Sequence, residues 1–515
     1  MNSSAVHQSL VIQEVVRNIC SFLVDSGPTL CALARCTKAF HEVAVPILWK
    51  DVPNLIPLLR CFPERSCIIE SGEFRFVHLL GPRDWDRVLH YSQHVRRLGV
   101  EPASASVSDI RITDRSLLEL SAFRPQPREV FPKLRAFFWR GLGMHDEHLP
   151  IVLTLLGPGL RQIVIGGWAL QNDRRHSLAA AVSYVAERFS MTSELELSFA
   201  RVSIMTTAGP KFSSALALVS QSLTGLTTFV CGDIPLTDGT LVALGHLPAL
   251  VQLAIRLPSP MPYVRNDAAT GLFQRLERLA VTTKVIDYNT FSLALKFPTV
   301  TAADVRVIGD LKQHDITMLF SSIARQFSAA SLVDLSVSSV GPVNANVAYF
   351  IQPQHIERLF VFNQLRKLHV GVKCRYQLDD AVYGKIPLSW PYLRSLSIGA
   401  ENGCLHKERP SVQSLSGFAA HCPDLQVLEV CFNATHALSR SDVQDALPFA
   451  SNSLVHSLNV LRSPIAYPEA VAAYLARIFP KLCTGNVCWG KFPSNADGRS
   501  WQSGWEEVKR HLPWK

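Results

Sequence analysis

WPYLRSLSIG, residues 390–399, is a phrase that the chain writes again and again. FPKLRAFFWR begins at Phe131, LPALVQLAIR at Leu247, FNQLRKLHVG at Phe362 and CPDLQVLEVC at Cys422. Reduced to its apolar positions the phrase is Leu-x-x-Leu-x-Val/Ile. Val95/Leu98/Val100, Leu134/Phe137/Trp139, Leu160/Ile163/Ile165 and Leu226/Phe229/Cys231 meet it, as do Leu250/Leu253/Ile255, Leu276/Leu279/Val281 and Val300/Ala303/Val305. Leu332/Leu335/Val337, Leu365/Leu368/Val370, Leu393/Leu396/Ile398, Leu425/Leu428/Val430 and Val455/Leu458/Val460 continue it. Leu195 and Leu197 fit a degenerate copy, and Leu482/Val487 a fading last one. One match to so loose a pattern means little, but a dozen in phase mark an internal repeat.

Side-chain direction gives the repeat its physical meaning. Residues two apart in a strand share a face, so the last two template positions point into one interior. Between the phrases lie helical patterns, such as DITMLFSSIARQFSAA (315–330), VQSLSGFAAHC (412–422) and PEAVAAYLARIF (468–479), with apolar residues three and four apart. A proline often separates helix from strand (Pro132, Pro248, Pro298, Pro391, Pro423, Pro480), where the missing N–H stops the helix. One helix and one short strand cannot bury their apolar faces alone, whereas stacked copies can. The expected fold class is therefore α/β: a solenoid with parallel strands on the concave face and helices on the convex face. A row of unrelated α/β domains is the alternative.

This array resembles the leucine-rich-repeat family over roughly residues 91–488. The family's turn-bonding Asn is mostly absent; Asn433 comes near that place, while Pro258, Lys284 and Glu401 occupy it in other copies. Irregular repeats are the expectation.

The first fifty residues have another texture. In QSLVIQEVVRNICSFLVDSGPTLCALARCTKAFHEVAVPILWKDV (8–52), Ile12, Val15, Val16, Ile19, Phe22 and Leu23 trace one helix face. The DSGP stretch (25–28) breaks the helix, with Pro28 suited to a first helical turn. Leu10, Ile12, Glu14-Val15, Ile19 and Leu23, then Leu30, Leu33-Ala34, Cys36 and Phe40, resemble the F-box pattern, with Leu10-Val11-Ile12 in place of the usual Leu-Pro opening. The following GPRDWDRVLHYSQHVRRLGV (81–100) is similar to the lead-in segment of F-box proteins of mushroom-forming fungi. Four regions follow: an F-box-like module of three helices (1–53), a helical linker leading into the solenoid (54–90), the leucine-rich solenoid (91–488) and a Trp-rich cap (489–515).

The resemblance implies an adaptor of a Skp-cullin-F-box ubiquitin ligase, its Skp-type partner docking on Leu10, Ile12, Val15, Ile19, Leu33 and Phe40. It implies a protein substrate held on the solenoid and ubiquitinated by proximity. Residues interleaved with the apolar template face outward, and Phe138, Arg140, Arg256, Arg278, Lys367, His369 and Glu429 are the candidate substrate contacts. Several are cationic, so an acidic or phosphorylated protein segment is a candidate ligand. A protein-binding scaffold unconnected with ubiquitin is the alternative reading.

Composition narrows the field. The 515 residues are 48% hydrophobic and 18% charged, with a net charge of 51 − 42 = +9, which fits a large buried core. Basic residues occur in pairs such as Arg96-Arg97 and Arg366-Lys367, without the clustering that nucleic acid requires. Twelve scattered cysteines show no C-x-x-C pair, as expected in a reducing compartment. The N-terminus lacks a signal-peptide pattern and no apolar run reaches the ~18 residues of a membrane span, so a cytoplasmic or nuclear location is expected. Neither a cofactor nor a metal is implied. HDEHLP (145–150) spaces its histidines at i, i+3 and reads as a polar loop, and Cys36 reads as a core thiol. No nucleophile or phosphate-binding motif occurs, so an enzyme is not expected. Trp501 and Trp505, four apart near the C-terminus, suggest one stripe of a capping helix.

Overall fold

An extended segment that buries one face must still find partners for its backbone N–H and C=O groups. The repeated phrases find them in parallel ladders. The computed structural model describes residues 12–100, 110–126, 129–139, 144–169, 175–200, 210–261, 271–341, 349–399, 409–438, 454–492 and 496–512. The chain divides into two units, Met1–Leu250 and Val251–Lys515. Each is mixed α/β with a run of parallel strands, consistent with a leucine-rich-repeat solenoid.

In the first unit the ladder runs through Asp51–Val52, Arg97–Leu98, Ala136–Phe138, Gln162–Ala169, Glu194–Ala200 and Thr228–Pro235, each strand parallel to the next. Template residues Leu98, Phe137, Ile163, Leu197 and Phe229 are fully buried beneath it. In the second unit, nine strands from Gln252–Arg256 to Val487–Cys488 follow one another in chain order within the main ladder. Leu253, Leu279, Ala303, Leu335, Leu368, Leu396, Leu428, Leu458 and Val487 stand in one register row and are all buried. The connecting helices follow the sequence patterns closely: Gln313–Gln326, Ser416–His421 after a 3-10 turn at Val412–Leu415, and Pro468–Ile478.

Among the described residues no single side chain serves the backbone beside the strands in every repeat. Met261 N donates to Asp287 Oδ1 at 2.7 Å and Lys373 N to Ser339 Oγ at 3.1 Å. Phe432 N donates to Ser463 Oγ at 2.9 Å, and that hydroxyl donates onward to Val460 O at 2.6 Å. Different groups at different offsets do the work that a repeated Asn would do, so the repeat lengths are free to vary.

Among the described residues the N-terminal module holds three helices, Gln13–Phe22, Gly27–Ala34 and Lys38–Leu48. Val16, Cys20, Leu30, Phe40 and Ala44 form its core, with Ile19, Leu23, Leu33, Ala34, Val43, Ile47 and Leu48 packed around them. Thr37 Oγ1 caps the third helix by accepting from Phe40 N at 3.2 Å. The expected boundary at residue 53 does not separate module from ladder, because Asp51–Val52 is already the ladder's first strand, paired with Arg97–Leu98. Nor is the linker 54–90 simply helical. Between the helices Ile56–Leu59 and Asp86–Ser92 it holds an antiparallel hairpin, Cys67–Glu70 with Glu73–Phe76. Ser71 and Gly72 turn it with φ of 52° and 77°, the doubly left-handed turn that matches strand twist.

At the other end, the helix Ala496–His511 covers the last layer of the second unit. Trp505 is fully buried, donates its Nε1–H to Ser463 O at 2.8 Å and meets the Phe432 ring edge-on at 5.8 Å. Among the described residues no helix is long and apolar enough to cross a membrane.

Two substitutions test the packing. Gly99 has φ +87°, and a Cβ there would lie 1.8 Å from Phe138 O, so Gly99→Ala should lower stability by roughly 2 kcal/mol or more. Leu368→Ala should cost about 2–5 kcal/mol. Urea unfolding of the full chain measures both, and a wild-type midpoint for either would contradict the register described.

Candidate ligand-binding face

The register that buries one row of side chains turns the alternate row outward. In the second unit one outward row is Ala254, Ala280, Asp304, Ser336, His369, Ser397, Glu429, and the row beside it is Gln252, Arg278, Ala302, Asp334, Lys367, Ser395, Val427. Together they line a shallow cavity of about 490 Å³ built by seven successive strands. At one end Ala254, Ala280 and Ala302 leave the hollow, because their side chains are too short to fill it. At the other end the lining is charged and hydroxylated.

Several of these charges already have partners. Asp304 and Arg306 pair at 2.8 Å, and Lys367 Nζ lies 3.7 Å from Asp334 Oδ2. Exposed pairs of this kind contribute about 0–1 kcal/mol; their effect is to orient the long cationic side chains over the face. The Oδ1 atom of Asp304 is buried without a hydrogen-bond partner.

Three adjacent strands supply a polar chain. Ser397 Oγ donates to Glu429 Oε2 at 2.7 Å, and His369 Nδ1 lies 3.0 Å from the same hydroxyl. A hydroxyl has one proton. With that proton directed to the carboxylate, Oγ accepts from the ring, so His369 carries hydrogen on Nδ1 and keeps Nε2 as an acceptor. Gly371 makes room for the ring: a Cβ there would sit 2.5 Å from His369 Nε2. The residue types are those of a nucleophilic triad, but the order differs. In a triad the imidazole sits between hydroxyl and carboxylate and takes the hydroxyl proton, whereas here the hydroxyl sits between the other two. The arrangement orients a histidine and does not activate a serine.

The cysteines follow burial. Burial pushes the Cys374 and Cys422 thiols up to about 12, and Cys231 likewise reaches about 12, with Asp233 adding to the effect. Thiolates are therefore scarce at these positions near neutral pH. The expectation for Cys36 is corrected: it is exposed, its Sγ 3.3 Å from Ala32 O, and Cys20 is the module's core thiol. His148 is corrected too. It is buried at the end of the 3-10 helix Asp146–His148, not part of a polar loop, and its Nε2 lies 2.8 Å from Asp114 Oδ1, which ties that turn to the helix Asp114–Ala122.

Of the expected substrate contacts, Arg278, Lys367, His369 and Glu429 meet around the cavity. Arg256 ends the cavity's own strand Gln252–Arg256 but lies outside its lining, Phe138 is half-buried on the ladder of the first unit, and Arg140 lies outside the described residues. Ser397 and Asp304 are additional members, and the same alternation points to both, since each follows a template Leu or Ala by one residue. Of the expected docking residues, Leu10 lies outside the described residues. Ile12 is 50% exposed; Val15, Ile19 and Leu33 are half-buried; Phe40, at 7%, belongs to the module's own core. Phe22, 88% exposed, and Val24, 56% exposed, are the other prominent apolar side chains on the module's surface.

No protein-family model and no curated protein matches the chain. Among solved structures it is similar to an internalin from Listeria monocytogenes, with 14% identity and a TM-score of 0.36 over 76% of this chain and 92% of that one. It is also similar to TLR13 in its complex with ssRNA13, with 14% identity and a TM-score of 0.37 over 80% of this chain and 57% of that one.

The polar chain makes a spectroscopic prediction. Ring-nitrogen NMR should find His369 in the Nδ1–H form when neutral, and Ser397→Ala should return it toward the usual mixture. An Nε2–H ring in the wild type would refute the donor assignment.

Proposed function

We propose that this chain is a protein-binding scaffold that holds its ligand on the outward face of the second unit. The observation that supports this most is the cavity shared by seven strands, where Arg278, Lys367, His369 and Glu429 come together from separate repeats. A surface assembled one residue per strand suits an extended or folded protein surface better than a small substrate, because its contacts are spread along the ladder. Site-specific photocrosslinking tests this. A crosslinker at Arg278 or His369 should trap a defined protein that one at Glu357, in the helix Pro353–Glu357, does not. The same products from both positions would overturn the reading.

A second reading concerns the module. The F-box resemblance, together with Phe22, Val24 and Ile12 on its surface, favours docking of a Skp-type adaptor and through it a cullin, which would make the bound protein a ubiquitination substrate. Apolar anchors of this kind carry most of the energy of such interfaces. Co-expressed with a Skp-type adaptor, the full chain should co-purify with it. Phe22→Glu should abolish the complex while the chain stays folded, and Phe40→Glu should unfold the module. Failure of the wild type to bind would leave the scaffold reading alone.

A further inference from the structure

The last two helices bring together three ligating side chains that neither reading uses. Glu469 lies in the first turn of Pro468–Ile478, and Glu507 and His511 stand one turn apart near the end of Ala496–His511. One donor atom from each, two carboxylate oxygens and an imidazole nitrogen, lies within 4.8 Å of the other two. Nε2 of His511 is 4.0 Å from Oε1 of Glu469.

Packing fixes the two helices that carry this triangle. Gly504 lets the terminal helix approach its neighbour: a Cβ there would be 2.6 Å from Ile465 Cγ2 and 3.6 Å from Pro468 Cγ, beside Glu469. Next to it, buried Trp505 is pinned by its bond to Ser463 O. Glu507 and His511 follow Gly504 by three and seven residues, the spacing of one helix face. They are therefore presented toward Glu469 by a contact that exists for other reasons. A divalent cation would take one bond from each of the three.

We infer that Glu469, Glu507 and His511 form a divalent-metal site that clamps the terminal helix to the one before it. Two ligands one turn apart on one helix, completed by a carboxylate from a neighbour, is an arrangement that suits tetrahedral zinc. The imidazole disfavours magnesium and calcium, which prefer oxygen ligands throughout. The bound ion acts as a staple on the cap that covers the last layer of the stack.

The test uses the full chain, without a histidine tag and after chelator treatment. Zinc titration by calorimetry should show one equivalent bound, and His511→Ala and Glu469→Gln/Glu507→Gln should each weaken it more than about tenfold. These side chains are exposed or half-buried, so the variants keep the wild-type circular dichroism. Cobalt in place of zinc should give a spectrum without sulfur-to-metal charge transfer. No binding at micromolar zinc, unchanged affinity in His511→Ala, or a thiolate band from cobalt would each overturn the site.

Discussion

Parallel strands cannot be joined by a tight turn, so each must be reached by a crossover that returns the chain to the same end of the sheet. Everything in this molecule depends on those crossovers delivering every strand in the same register. A slip of one residue would send an entire buried row to solvent and bring the outward row inside. In the second unit the row from Leu253 to Val487 keeps its place through nine strands, although the intervening segments differ in length. The same alignment places Asp304, Ser336, His369, Ser397 and Glu429 side by side. The interior and the outward face are thus two sides of one geometric fact.

How much of this could be read in advance depended on whether a signal repeated. The strands were legible because a six-residue apolar pattern recurred, and the helices because proline and three-four spacing bracketed them. The outward residues followed by simple alternation, including Ser397 and Asp304 once the register is known. Features that occur once were hidden. Asp51–Val52 is too short to carry a pattern, and it joins the ladder only because Arg97–Leu98 is there to receive it. The Ser71-Gly72 hairpin has four-residue arms, and only Glu73–Phe76 alternates, while Cys67–Glu70 does not. Phe40 matched an exposed role by pattern, yet three helices around so small a core needed its bulk inside.

Chemistry was the least legible layer, since it depends on which of two atoms holds a proton or which side chain lies across a gap. Ser397 is ordinary in sequence. Only its position between His369 and Glu429 on neighbouring strands makes it the group that sets the imidazole's tautomer. His148 looked like loop polarity because its partner, Asp114, is 34 residues earlier in the chain. Long-range pairs of this kind leave no local trace.

The join between module and ladder has a mechanical consequence. The third helix ends at Leu48 and the first strand begins at Asp51. Of the two residues between them, Trp49 stacks on Tyr91 at 4.7 Å, and the Lys50 carbonyl accepts from the backbone N–H groups of Arg96 and Arg97. Such a joint has no slack. Anything that docked on the module would be carried at a fixed bearing to the ladder of the first unit, like a tool bolted to a frame and not hung on a tether, and its reach would be set by bond geometry where a flexible linker would have set it by chain statistics.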